Sequence, residues 1–103
     1  MRFYPLEKFI NLHDGYRRVF RIDEHQLLLI QEGGERYLVE ALCPHRGHPL
    51  ERGSIEGGTL RCPLHDYRFE LDSGRVSAIT EEPCRALRRY ALVDRETDCG
   101  VML

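Results

Sequence analysis

No stretch of this sequence approaches the roughly 20 apolar residues that cross a bilayer as a helix; the longest aliphatic run is Leu27 to Ile30. The first ten residues, MRFYPLEKFI, carry Arg2, Glu7 and Lys8 and lack the apolar block of a secretory signal. Both absences predict a cytoplasmic protein with no membrane partner. An excess of basic charge is missing too. Fifteen Lys and Arg stand against 17 Asp and Glu, for a formal charge of -2, so nothing marks a nucleic-acid backbone as a partner. Helical periodicity never lasts beyond about two turns. Internal repeats, linkers and low-complexity tracts are also absent, and 103 residues fit one domain, 1–103, of ordinary size.

What is present predicts an all-β chain. Tyr16, Arg18, Phe20 and Ile22 share one face of a strand that ends at Asp23-Glu24-His25. Segments 26–31 and 36–41 flank Glu32-Gly33-Gly34-Glu35, a hairpin signal. Ile55-Glu56-Gly57-Gly58 is a further turn, and 59–61 a short strand. Tyr67, Phe69 and Leu71 alternate with Arg68 and Glu70 as a half-buried strand, closed by Asp72-Ser73-Gly74 before 75–79. Residues 85–95, with Leu87, Tyr90, Leu92 and Val93, read as closing strands, a helical turn being the other possibility. Between these elements lie two loops, Cys43-Pro44-His45-Arg46-Gly47-His48-Pro49 and Cys62-Pro63-Leu64-His65, which proline and glycine keep out of regular structure.

Those loops carry the chemistry: Cys43-x-His45, sixteen intervening residues, then Cys62-x-x-His65. In a reducing compartment cysteines are metal ligands or buried apolar residues before they are disulfides. One thiolate and one imidazole from each loop can serve a [2Fe–2S] cluster, whose two irons each take two protein ligands, both cysteines on one and both histidines on the other. A zinc-binding interaction domain with two Cys and two His is the competing reading, although zinc sites commonly pair like with like at wider spacings. Cys84 and Cys99 have no partner histidines and are expected to be ordinary thiols, and His13 and His25 to be solvated. Arg46 and Asp66, flanking the ligands, either steer a partner or are simply solvated.

CPHRGHPL at 43 to 50 and CPLHDYRFELDSGRV at 62 to 76 resemble the two cluster boxes of Rieske ferredoxins, most specifically over 41–79. The resemblance implies a Rieske fold: a small antiparallel β sandwich or barrel base, 1–40 and 80–103, with an inserted cluster-binding subdomain of two loops at about 41–79. It implies one [2Fe–2S] cluster, with Cys43 and Cys62 on the buried iron, His45 and His65 on the outer iron, and both imidazole edges facing solvent. Around the ligands it places Pro44, Arg46, Gly47, His48, Pro63, Leu64, Asp66, Tyr67 and Phe69. High-potential respiratory relatives carry an extra cysteine in each box where this chain has His48 and Leu64, so no disulfide between the loops is expected. They also carry Ser and Tyr, whose hydroxyls bond cluster sulfurs, where this chain has Tyr67 and Phe69. With fewer such donors, the potential should lie near the lower Rieske limit of roughly −150 mV. Tyr67 and Phe69 are expected foremost as core residues.

The same resemblance implies a soluble one-electron carrier rather than an enzyme, taking electrons from a flavin-dependent reductase to an oxygenase or similar terminal acceptor. In this the chain resembles the ferredoxin components of bacterial ring-hydroxylating dioxygenases. The small Rieske-like subunit of an NAD(P)H nitrite reductase is the alternative.

Overall fold

The computed structural model describes residues 1–103, and its organisation follows from one strand. In β3 (His25–Glu32) the four residues Leu27, Leu28, Leu29 and Ile30 are all fully buried. Side chains alternate across a strand, so Leu28 and Ile30 enter one apolar cluster while Leu27 and Leu29 enter a second. A strand covered on both faces needs apolar residues at every position. That is why the longest aliphatic run in the sequence lies here.

Strand β3 is central in a four-stranded antiparallel sheet of order β2-β3-β4-β9, with β2 (Arg17–Ile22), β4 (Glu35–Glu40) and β9 (Arg89–Tyr90). Its register pairs Val19 with Leu28 and Leu28 with Val39, all on the face of the first cluster. A second four-stranded sheet, β5-β6-β7-β8, is built from β5 (Ser54–Glu56), β6 (Thr59–Arg61), β7 (Arg68–Glu70) and β8 (Val76–Ala78). The third sheet places β11 (Asp98–Met102) between β1 (Phe3–Lys8) and β10 (Leu92–Arg95). A 3-10 turn, Phe9–Asn11, follows β1. No helix is long and apolar enough to cross a membrane.

The predicted β2 to β4 hairpins, the 59–61, 67–71 and 75–79 strands and the strand reading of 85–95 all appear. Strands β1, β5 and β11 were not foreseen; Ile55 and Glu56, expected in the turn, pair with Leu60 and Thr59 as the end of β5, which leaves the turn to Gly57 and Gly58. The first cluster is the one that matters for the loops: it joins Leu28, Ile30, Val39 and Ala41 to Leu50, Leu60, Tyr67, Phe69 and Leu71, and it includes Cys43 and Cys62. Burying a large apolar side chain contributes roughly 1.5–3 kcal/mol. The exposed ion pairs on the same loops, such as Arg68–Asp66 at 4.0 Å, contribute under about 1 kcal/mol each. Apolar anchoring therefore sets the positions of the loops.

Candidate metal centre

The two loops close in the same way. In the first, the Cys43 N–H donates to the His48 carbonyl at 2.8 Å, and the Cys43 carbonyl accepts from the Gly47 N–H at 2.7 Å. In the second, the Cys62 N–H donates to the Tyr67 carbonyl at 2.7 Å, and the Cys62 carbonyl accepts from the Asp66 N–H at 3.1 Å. The residue four beyond each cysteine is left-handed, Gly47 at φ 72 and Asp66 at φ 62. Asp is one of the few side chains that tolerate this region, and Asp66 is also ion-paired with Arg61. A bridge between Leu42 and Pro49 seals the base of the first loop, while β6 and β7 carry the second.

This shared closure turns both cysteines inward, and Cys43 and Cys62 are buried as free thiols. Burial pushes the Cys43 thiol up to about 11; the adjacent Cys62 thiol adds to this, while the His45 and Arg46 backbone N–H groups directed at Cys43 act in the opposite sense. The two imidazoles meet edge to face, ring centres 5.3 Å apart. The two thiols thus lie beside each other and the two imidazoles face each other, with a Glu81 carboxylate oxygen within 4.8 Å of both rings' donor atoms.

Exposure separates the two histidines. His65 retains 31% of its side-chain surface, whereas His45 retains only 2%, which corrects the expectation that both edges face solvent. The reason lies outside the two boxes. Residues 80–83 run across the site, bringing Glu81 and Glu82 carboxylate oxygens to 3.4 and 3.3 Å from His45 Nε2, and Glu81 to 3.7 Å from His65 Nδ1. Neither contact to His45 has hydrogen-bond geometry, and its Nε2 is a buried nitrogen without a hydrogen-bond partner. From below, Tyr67 stacks on the His45 ring at 4.1 Å and 21°.

The neighbouring residues divide by role. Tyr67 and Phe69 are fully buried, as expected of core residues. Arg46 is exposed and pairs with Glu82 at 3.2 Å. Pro44 is half-buried, Pro63 exposed, and Leu64 is an apolar side chain 51% exposed beside His65. His48 contributes its carbonyl to loop closure. Cys84 and Cys99 are unpaired thiols, and Cys99 is buried in β11. Sequence reasoning missed Thr80, Glu81 and Glu82. Their only signal was a paired carboxylate before Pro83 in an irregular stretch.

The donor set can be tested against a cofactor on these observations. Two adjacent buried thiols with backbone N–H groups aimed at one of them, two facing imidazoles, and a buried ring nitrogen with no partner, a state costing roughly 1–3 kcal/mol, all fit a cluster with mixed sulfur and nitrogen ligation. The family model described as the Rieske [2Fe–2S] domain matches residues 2–91. The chain belongs to that family. A Rieske domain binds one [2Fe–2S] cluster, and the residues present suit it.

Among relatives, the chain is 33% identical over 66 residues to the ferredoxin component of the alkene monooxygenase system of Xanthobacter autotrophicus, a match covering 63% of this chain and 54% of that protein. The matched part thus spans about half the length of that relative. Among solved Rieske structures, the ferredoxin of carbazole 1,9a-dioxygenase from Nocardioides aromaticivorans IC177 superposes with a TM-score of 0.83 at 25% identity, covering 98% of this chain and 97% of that one. A protein assigned as the small subunit of an NADPH nitrite reductase shares the fold at a TM-score of 0.76 and 16% identity, over 100% of both chains.

Proposed function

We propose that this Rieske domain is a one-electron carrier that holds its cluster through Cys43, His45, Cys62 and His65. The supporting observation is that two similarly closed loops each bring one thiol to a thiol pair and one imidazole to an imidazole pair. In this reading residues 41–79 carry the ligands and are seated on a base formed by 1–40 and 80–103 as one domain, whose residues 80–83 reach back over the site.

When bound, the cluster supplies a one-electron couple. The chain's own residues do the rest. Cys43 and Cys62 bind as thiolates and release their protons, which burial otherwise retains on Cys43. The His45 and Arg46 N–H groups stabilise the charge on the Cys43 sulfur. Leu50, Leu60 and Phe69 exclude water from the inner side of the loops. His65, with Leu64 beside it, presents the open edge through which a redox partner can approach.

The donor in this proposal is a flavin-dependent reductase and the acceptor a terminal oxygenase. The relatives support the second, since those ferredoxins belong to an alkene monooxygenase system and to a carbazole 1,9a-dioxygenase. Free Cys84 and Cys99 suit a reducing cytoplasm. End-to-end likeness to the nitrite reductase small subunit supports a second reading, in which the chain works only as a bound subunit. Electron transfer by the purified chain alone separates the two.

Iron and acid-labile sulfide analysis, with EPR of the dithionite-reduced protein, tests the carrier. The expected result is two of each per chain and an EPR signal lost in Cys62→Ser. Zinc in place of iron would refute it.

A further inference from the structure

Tyr67 is more than a space-filling aromatic. Its hydroxyl accepts from the Glu82 N–H at 2.7 Å and the Glu81 N–H at 3.3 Å and donates to the Glu82 carbonyl. One donated and two accepted bonds exhaust what a phenol can make. Residues 80–83 form no backbone-to-backbone hydrogen bond of their own. Besides those to Tyr67, their hydrogen bonds are the one the Thr80 hydroxyl donates to the His65 carbonyl and the exposed Arg46–Glu82 pair. A core filler needs no hydroxyl: Phe69, on the same face of the same hairpin and equally buried, has none.

We propose that Tyr67 is a positioning residue, its ring fixing His45 and its hydroxyl holding residues 80–83 as a strap across the metal centre. The proposal rests on the carrier reading and deepens it. The strap shields His45 from water and keeps the carboxylates of Glu81 and Glu82 beside the imidazoles. Reduction adds one negative charge to the centre. Fixed carboxylates nearby oppose that charge, and exclusion of water removes its screening. Both effects lower the potential, so freeing the strap raises it.

The test compares Tyr67→Phe, which keeps the stacked ring and removes one oxygen, with the wild-type protein, after iron and sulfide have been measured in each. Hydrogen exchange of residues 80–84, read by mass spectrometry, is expected to quicken about tenfold, the order of effect of losing a buried hydrogen-bonding group. The midpoint potential at fixed pH is expected to move positive, and chelator-driven bleaching to accelerate several-fold. Unchanged exchange together with an unchanged potential would overturn the proposal. Should Tyr67→Phe fail to fold, Thr80→Val, at an exposed position, releases the other end of the strap: faster exchange with a positive shift supports the strap, and wild-type values of both overturn it. A wild-type protein without iron refutes the carrier reading, while the exchange comparison still decides whether the hydroxyl holds the strap.

Discussion

Gly74→Ala should destabilise the protein by about 3 kcal/mol, whereas Gly57→Ala, at the same sign of φ, should cost about 1 kcal/mol. Gly74 has φ 77 and Gly57 has φ 57, so both alanines bear the left-handed penalty of roughly 1–2 kcal/mol, offset by about 0.4–1 kcal/mol from a stiffer unfolded chain. Their surroundings differ. A Cβ at Gly57 meets nothing within 4 Å, while at Gly74 it collides with the Leu87 carbonyl oxygen and lies 3.3 Å from the carbonyl carbon. That carbonyl cannot retreat freely, because the Leu87 N–H donates to the Gly74 carbonyl at 2.8 Å and the Leu87 side chain is buried in the cluster with Cys43 and Cys62. Relief costs that hydrogen bond, about 1 kcal/mol, and part of the roughly 1.5–3 kcal/mol from Leu87 burial. Since Gly74 lies in the turn joining β7 to β8 and is hydrogen-bonded to Leu87, whose apolar cluster includes Cys43 and Cys62, the alanine variant should also lose its iron–sulfur cluster faster. Anaerobic urea titration followed by far-UV circular dichroism reads the difference, about 2 kcal/mol, as a midpoint separation of ~1–2 M at unchanged slope. Equal midpoints for the two variants would refute the steric argument.

Tyr16 is raised to about 12 by burial and by the hydrogen bond it donates to Glu7 at 2.8 Å. Its folded value lies above the unfolded value near 10, so its contribution is complete below about pH 10 and is lost as pH rises through 12. Tyr16→Phe should therefore cost on the order of 1 kcal/mol at neutral pH and flatten the fall in stability between pH 10 and 12; parallel wild-type and variant pH curves would contradict this. The midpoint potential should fall near roughly −150 mV, because Phe69 has no hydroxyl and the Tyr67 hydroxyl is fully engaged by residues 81 and 82. A clearly positive value in a redox titration would sink that expectation.

Much of the architecture was legible because it is local. Hairpin turns, alternating strands and the two Cys/His loops are encoded within a few residues of themselves, and hydrogen bonds of short sequence separation close them. The terminal strands were not legible. Phe3 pairs with Met102, and a register shift between Pro5 and Glu7 breaks the alternation that would have marked β1. In β11, Gly100 weakens the strand pattern, yet it is required because a Cβ there would strike the Tyr4 carbonyl and the Phe3 ring.

The sequence by itself determined which side chains are the candidates to hold metal, since thiols and imidazoles at set offsets from proline and glycine allow few other chemistries. Tertiary structure alone decided how unequal the two histidines are. Glu81 and Glu82 lie more than thirty residues from His45 along the chain, and nothing local beyond their position before Pro83 marks them. The packing of Tyr67 beneath the imidazole, its bonds to residues 81 and 82, and the Thr80 and Arg46 contacts bring them to the site, because contacts between distant segments depend on the whole core and not on any short pattern.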